Sequence, residues 1–171
     1  MNKNMNNKQS GFSLMETVIY ISLMTVLLFT LLSLIDSASR TYLISKSSRD
    51  IERSAVGVVA AFENQVNSAS AIDIVNTKFD NATGSISLIA YDGAGHSTTT
   101  KIYLLNNQVF LDQNNIYVGP LSLSDVRVTN LTFRNMSTST FNGFKVEMTI
   151  DNGTSSDQYL SENFYNSYIL R

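Results

Sequence analysis

Apolar residues are concentrated near the start of the chain. The run from Thr17 to Ile35 contains 19 residues and no charge. As an α-helix it would be about 28 Å long at ~1.5 Å per residue, close to the ~30 Å hydrocarbon core of a bilayer. The pattern therefore predicts a membrane-spanning helix, which we place at residues 12–35.

The period of the apolar residues changes after this run. From Tyr42 through Phe62 and Val66 to Ala69, apolar residues recur every three or four positions among charged ones. This spacing is typical of an amphipathic helix whose apolar stripe packs into a core. We therefore expect residues 36–70 to continue the helix, and the Ser-rich stretch 45–48 and Gly57 leave open whether it is broken.

Beyond residue 70 the apolar residues alternate with polar ones, which predicts strands. An Asn106–Asn107 hairpin turn and a bulge near Asn130 are expected between them. The predicted fold class is α+β, with a long N-terminal helix packed on a mostly antiparallel β-sheet formed by residues 71–171. The predicted strands are Ile72–Val75, Ser85–Tyr91, Lys101–Leu105, Val109–Leu111, Phe144–Ile150 and Tyr159–Leu170, with further strand residues at Val126, Val128, Leu131 and Phe133.

Composition narrows the possible functions. The 171 residues provide one domain with an appendage, and 12 Lys plus Arg against a net charge of -2 give no broad cationic surface. We therefore predict no direct nucleic-acid binding. The chain has no Cys, which excludes disulfides and thiolate chemistry, and its single His gives a His-based metal site or a catalytic triad little support.

The polar stretch before the apolar run sets the expected membrane orientation. Residues 1–11 contain Lys3 and Lys8, and the first charge beyond the apolar run is Asp36. Basic residues keep their end of a helix in the cytoplasm, so the rest of the chain should lie outside the cytoplasmic membrane. A secretory signal peptide would have a shorter apolar core followed by small residues at a cleavage site, which this run lacks.

Glu16 is an unusual residue for the start of an apolar run. A charge within a bilayer costs ~2.5–3.5 kcal/mol and usually has a partner or a function. No basic residue lies within a helical turn on its C-terminal side, so we expect no partner inside the same segment. If the chain were cut after Gly11, the new α-amine of Phe12 could pair with Glu16 of a neighbouring copy and gain ~4 kcal/mol at 4 Å.

The stretch KQSGFSLMETVIYISL resembles the leader and helix start of type IV pilins and of the pseudopilins of type II secretion. The resemblance covers about 25 residues. It implies that residues 1–11 are a leader removed by prepilin peptidase between Gly11 and Phe12, that the Phe12 amine is methylated, and that Glu16 acts in subunit assembly. It also implies the following partners: other pilin or pseudopilin subunits, assembly platform proteins and the cytoplasmic membrane.

Two departures from the family pattern favour a minor subunit. Many filament-forming members have a Pro at a position that corresponds here to the neighbourhood of Ser33, where this chain has none. Many major pilins also carry a C-terminal disulfide, which this chain cannot form because it has no Cys. Within this family, the richness of its C-terminal part in strands resembles the J-type pseudopilins and PilW-like minor pilins. Whether it serves a pilus, DNA uptake or secretion stays open. The alternative is an uncleaved single-pass anchor that displays a binding domain.

No catalytic residue, metal or cofactor is assigned from the sequence. His96 lies in a small polar stretch typical of an exposed loop, and a hydrolase would need a cleft that joins it to two acids. Gly93 and Gly95 lack the third glycine and the following helix of a phosphate-binding loop. Asp151, Asn152 and Asp157 could offer oxygens to calcium, but turn formation explains them and their spacing matches no calcium loop.

Overall fold

The computed structural model describes residues 13–92, 94–153 and 159–170. Its first element is one long helix, α1, from Leu14 to Ser68. The helix is unbroken through residues 45–48 and Gly57, which answers the question that the sequence left open. Gly57 suits its position, because a Cβ there would lie 3.3 Å from the carbonyl oxygen of Leu121.

The chain divides into two compact units, residues 1–42 and 43–171. In the first unit the described residues belong almost entirely to the first part of α1, and their side chains are exposed. The second unit contains the rest of α1 and all the strands. Tyr42, which the apolar spacing placed on the buried stripe, is 67% exposed, so the predicted stripe begins too early.

Among the described residues of the second unit, eight strands form two sheets. The five-stranded sheet has the order β1-β2-β3-β4-β5 and the three-stranded sheet the order β6-β7-β8, with antiparallel pairing throughout each sheet. The predicted α+β class is therefore confirmed, with two sheets in place of the single one expected. The strands are β1 Ala71–Ile72, β2 Ser85–Tyr91, β3 Ser97–Leu105, β4 Gln108–Gln113, β5 Ile116–Pro120, β6 Arg127–Asn135, β7 Gly143–Asp151 and β8 Ser161–Ile169.

Local turn signals are confirmed. Asn106 and Asn107 join β3 to β4 with φ values of 48° and 63°, the left-handed conformation that a two-residue hairpin turn requires. Asn114 and Asn115 repeat this geometry at 52° and 62° and lead into β5. The predicted bulge near Asn130 appears as a register shift between Val128 and Asn130.

Some strand predictions were wrong. The predicted strand Ile72–Val75 stops at Ile72, because the Asp73 carboxylate accepts the backbone N–H groups of Val75 and Asn76 and forms a turn. The strand β3 begins at Ser97, four residues before the predicted Lys101, and β5 was not predicted at all.

The core lies between the second part of α1 and the two sheets. Phe62 is 1% exposed, and its ring centroid lies 5.7 Å from that of Phe133, 6.4 Å from Phe144 and 5.9 Å from Tyr168. Burying such a side chain contributes ~1.5–3 kcal/mol. The predicted packing of the helix stripe is thus confirmed for the buried residues Ile51, Ala55, Val58, Phe62 and Val66.

Candidate functional site in the apolar half of the helix

The apolar half of α1, residues 14–35, is exposed on every side. Its large apolar side chains are between 50% and 84% exposed, with Leu27 and Leu14 at the two extremes. An apolar surface this continuous does not suit contact with water. The helix is long and apolar enough to cross a membrane, and this half is compatible with a membrane anchor.

The hydroxyl groups of the apolar half bond back to the helix itself. Thr17 donates to the Ser13 carbonyl, and Ser22, Thr25, Thr30 and Ser33 donate in the same way to carbonyls three or four residues earlier, at 2.7–3.0 Å. Hydrocarbon offers no hydrogen-bond partners, and an unsatisfied polar group costs several kcal/mol there. These bonds let the polar side chains of the segment reside in lipid.

Glu16 lies in the first turn of α1, where the positive end of the helix dipole favours a carboxylate. Its Oε1 accepts a hydrogen bond from the Tyr20 hydroxyl at 3.3 Å. The expectation that the segment offers no partner was therefore wrong. Tyr20 carries no charge, so an expectation based on basic residues did not include it, although residues four apart are neighbours on a helix surface.

The other residues of the predicted processing site, Gly11 and Phe12, lie outside the described residues, as do Lys3 and Lys8. Cleavage after Gly11 and methylation of Phe12 therefore stay predictions. Glu16 is four residues beyond Phe12 in the sequence.

Charged residues return directly after the apolar half. Arg40 Nε donates to Asp36 Oδ2 at 3.0 Å, and both side chains are exposed. An exposed pair of this spacing contributes only ~0.3–0.5 kcal/mol. The position of the Asp36–Arg40 pair is more informative than its energy, because the pair lies directly after the apolar half of α1 and ends the segment that suits a bilayer.

His96 is exposed, as predicted for a loop residue. Its Nδ1 lies 2.9 Å from Asp92 Oδ2, and this contact with His96, helped by backbone N–H donors, lowers the pKa of Asp92. Within the described ranges Asp92 is the one carboxylate that contacts His96. The cleft with two acids that a hydrolase would need is not formed around it by these residues.

The turn considered for calcium has other contacts. Asp151 is 2% exposed and accepts Arg127 Nε at 2.9 Å, Arg127 Nη2 at 3.3 Å and the Gly153 N–H at 2.8 Å. Asn152 Oδ1 accepts the Leu160 N–H. Asp157 lies outside the described residues, and over residues 13–92, 94–153 and 159–170 no three His, Asp or Glu side chains cluster as metal ligands would.

The strongest electrostatic cluster stabilises the three-stranded sheet. Glu147 Oε1 accepts Arg134 Nε and Lys145 Nζ, each at 2.9 Å, and these hydrogen bonds lower the pKa of Glu147 to about 2. Arg134 also reaches Asp80 at 3.2 Å, which ties the segment before β2 to β6. This cluster is structural, since its charges are already paired with one another.

Comparison of the chain with protein-family models, with curated proteins and with solved structures found no match. Any assignment of function must therefore rest on the chain's own residues.

Proposed function

We propose that the chain is a minor structural subunit of a type IV pilus, a competence pilus or a type II secretion pseudopilus. It is inserted in the cytoplasmic membrane, cleaved after Gly11, methylated on Phe12 and assembled through its apolar helix. The observation that carries the proposal is Glu16, an acid at the head of the exposed apolar half of α1, which has no other charge up to Ile35, in sequence register with Gly11 and Phe12.

Glu16 would guide assembly through its charge. The Tyr20 hydroxyl is a neutral donor, so its hydrogen bond does not neutralise the negative charge of the Glu16 carboxylate. The methylated amine of Phe12 on a neighbouring subunit would supply the opposite charge and gain ~4 kcal/mol at about 4 Å and an effective dielectric near 20. Insertion next to another subunit would thus be favoured over isolation in lipid.

The two units would have separate tasks in the filament. Apolar helices of neighbouring subunits would pack together, with the hydroxyls of the apolar half bonded back to their own carbonyls and so available for dry contact. The domain of residues 43–171 would lie outside the membrane, on the side opposite to the leader that prepilin peptidase removes.

Processing is tested by mass. The full chain is expressed in cells with and without a prepilin peptidase and extracted from membranes. With the peptidase, the mature chain should begin at a methylated Phe12, and a Gly11→Val variant should keep residues 1–11. A chain that begins at Met1 in the presence of an active peptidase contradicts the proposal.

Assembly is tested by substitution of Glu16. A Glu16→Ala chain should insert and be cleaved normally, yet enter sheared filaments at a small fraction of the original level. Glu52→Ala is the matched control, because Glu52 is an exposed acid on the second half of the same helix. Equal incorporation of both variants would show that the Glu16 carboxylate is not the assembly contact.

An uncleaved anchor carrying a binding domain is the second candidate. The hydrogen bond between Tyr20 and Glu16 favours it, because the carboxylate then has a partner without any second subunit. This candidate predicts that native protein retains Lys3 and Lys8 and that a bulky residue at Gly11 changes neither its mass nor its location.

A further inference from the structure

A polar groove crosses the face of the five-stranded sheet that is turned away from the core. Its volume is about 430 Å³, and its floor includes Ser87 of β2 with Thr99 and Lys101 of β3. Ser87 and Lys101 are directly opposite each other in the antiparallel pair. The eight residues that line the groove are all polar, which distinguishes it from the apolar cavity of about 100 Å³ next to Phe62.

Two turns held by their own hydrogen bonds form the walls. On one side Asp73 Oδ2 accepts Asn76 Nδ2 at 2.7 Å, and the Asp73 N–H donates to the Ser87 carbonyl at 2.9 Å. On the other side the Asn114 N–H donates to the Thr99 carbonyl at 2.7 Å, and Asn114 Oδ1 accepts the Thr99 N–H at 2.9 Å. Both walls are therefore fixed to the sheet, and a ligand would not have to order them.

The groove keeps polar groups for a ligand. Asn114 uses its side-chain oxygen for Thr99, so its amide N–H₂ group remains available to donate to a ligand. In the part of the chain that the structure describes, Lys101 makes no salt bridge, and its Nζ lies 5.8 Å from the centroid of the Tyr103 ring. Serine and threonine hydroxyls add groups that both donate and accept.

A comparison with Lys145 shows how unusual Lys101 is. Lys145 also lies over a tyrosine, with its Nζ 5.1 Å from the centroid of the Tyr165 ring, but it is paired with Glu147 at 2.9 Å. Lys101 instead faces Asp112 across the β3–β4 pair without reaching it, while Asp112 accepts the Tyr103 hydroxyl at 3.2 Å. The Lys101 ammonium thus retains hydrogen-bond donors for another molecule.

An aromatic row continues from the groove along the same sheet face. Tyr103 stacks on Phe110 with ring centroids 6.0 Å apart, and Phe110 lies 5.8 Å from Tyr117, which is 58% exposed. Exposed aromatic rings offer an apolar surface beside polar groups. A ligand that has both a C–H face and many hydroxyls would use the row and the groove together.

The charge of the lining selects among ligand classes. Among the eight residues that line the groove, Lys101 supplies one ammonium and Asp73 one carboxylate, so the formal charges of the lining cancel. A fully charged ligand would gain from one group and be repelled by the other, whereas a hydroxyl can accept from Lys101 or Asn114 and donate to Asp73. We propose that this groove is a binding site for an uncharged saccharide, with its hydroxyls in the groove and its C–H face towards the aromatic row.

The test uses the full chain in lipid nanodiscs, since sugar-headed detergents would compete for the site. Maltotriose, cellotriose and galactobiose are titrated while amide resonances and calorimetric heats are recorded. At least one should bind with a dissociation constant on the order of 1 mM and shift resonances of β3 and the 114–115 turn. Absence of binding by all three probes overturns the proposal.

Lys101→Gln should weaken saccharide binding about tenfold, because a hydrogen bond from a charged donor is stronger than one from a neutral amide. Lys145→Gln is the matched control and should bind as the original chain does. Equal loss in both variants, or no loss in either, overturns the assignment of the groove. Acetate or inorganic phosphate that binds with similar affinity and displaces the sugar would identify an anion site and also overturn it. None of these outcomes depends on cleavage or filament entry.

Discussion

The two halves of α1 have the same backbone and opposite surroundings. Phe29 in the first half is 74% exposed, whereas Phe62 in the second half is 1% exposed. The first half has apolar side chains around its whole circumference, and the second has them on one stripe that meets the sheets. Both halves share the backbone hydrogen bonding of an α-helix. They differ in how apolar residues are distributed around the helix, and this distribution decides whether a half suits lipid or the core of a folded domain.

The largest expected difference between the halves comes from removing one phenyl ring. Phe62→Ala should lower the free energy of unfolding of the domain by ~3–5 kcal/mol, because it empties the space between Phe133, Phe144 and Tyr168. Phe29→Ala should leave it unchanged within ~0.5 kcal/mol. Denaturant titration of the full chain in nanodiscs, followed by tyrosine fluorescence, measures both. Equal losses of unfolding free energy in the two variants would contradict the contrast between the two halves of α1.

The next largest expected effect is a loss of membrane insertion, and it should follow from a charge placed in the first half of α1 but not from one placed in the second. Leu27→Lys should cost ~2.5–3.5 kcal/mol of membrane insertion, since its side chain would be held in hydrocarbon. Val56→Lys, at a 67% exposed position of the second half, should insert normally. The inserted fraction is measured by carbonate extraction of membranes. Unimpaired insertion of Leu27→Lys would show that the first half does not lie in the bilayer.

Removal of one hydroxyl should have a smaller effect that again depends on the half. Ser54 is 1% exposed, and its Oγ accepts the Leu123 N–H at 3.2 Å, so Ser54→Ala leaves a partly buried amide without this partner and should cost ~1–3 kcal/mol of unfolding free energy. Ser33 donates to the Thr30 carbonyl of its own helix, where the freed carbonyl keeps its helical partner, so Ser33→Ala should be nearly neutral. A reversed order of the two costs would contradict this account.

The smallest expected effect is a loss of stability at low pH, which the domain should show and the apolar half of α1 should not. Glu147 has a pKa of about 2, below the 4.5 of an unperturbed Glu, because Arg134 and Lys145 donate to it. Its stabilising contribution is present above pH ~4.5 and is lost as the pH falls towards 2. The free energy of unfolding of the domain should therefore fall between pH 4.5 and 2, and it should fall by a smaller amount in the Glu147→Gln variant. The uncharged stretch Thr17–Ile35 should show no such dependence in its helical signal, and an identical pH profile in Glu147→Gln would exclude this role for Glu147.

Features that depend on a few neighbouring residues could be predicted from the sequence, and features that depend on contacts between distant residues could not. The unbroken apolar run, the Asn106–Asn107 turn and the bulge before Asn130 each follow from a few neighbouring residues. The strand β5 was missed because Ile116, Tyr117 and Val118 are all exposed at a sheet edge, so they show no alternation. The division into two sheets depends on which strands pair with one another, and the alternation within each strand does not specify that pairing.

The candidate sites follow the same rule. Glu16 could be singled out from the sequence because an acid beside an apolar run is rare, but its bond to Tyr20 involves a neutral side chain and has no charge signal. The saccharide groove could not be predicted at all. Its walls come from the turns at Asp73 and Asn114, and folding of the sheet brings both beside Lys101.

The position of Phe62 has a consequence for synthesis. Its ring partners Phe133, Phe144 and Tyr168 follow it by 71 to 106 residues. At about 5–20 residues per second, a ribosome needs roughly 5 to 20 s to reach the last of them. During this interval the buried stripe of the helix has no sheet to cover it. Burial of the helix stripe therefore has to wait until the last strands have been synthesised.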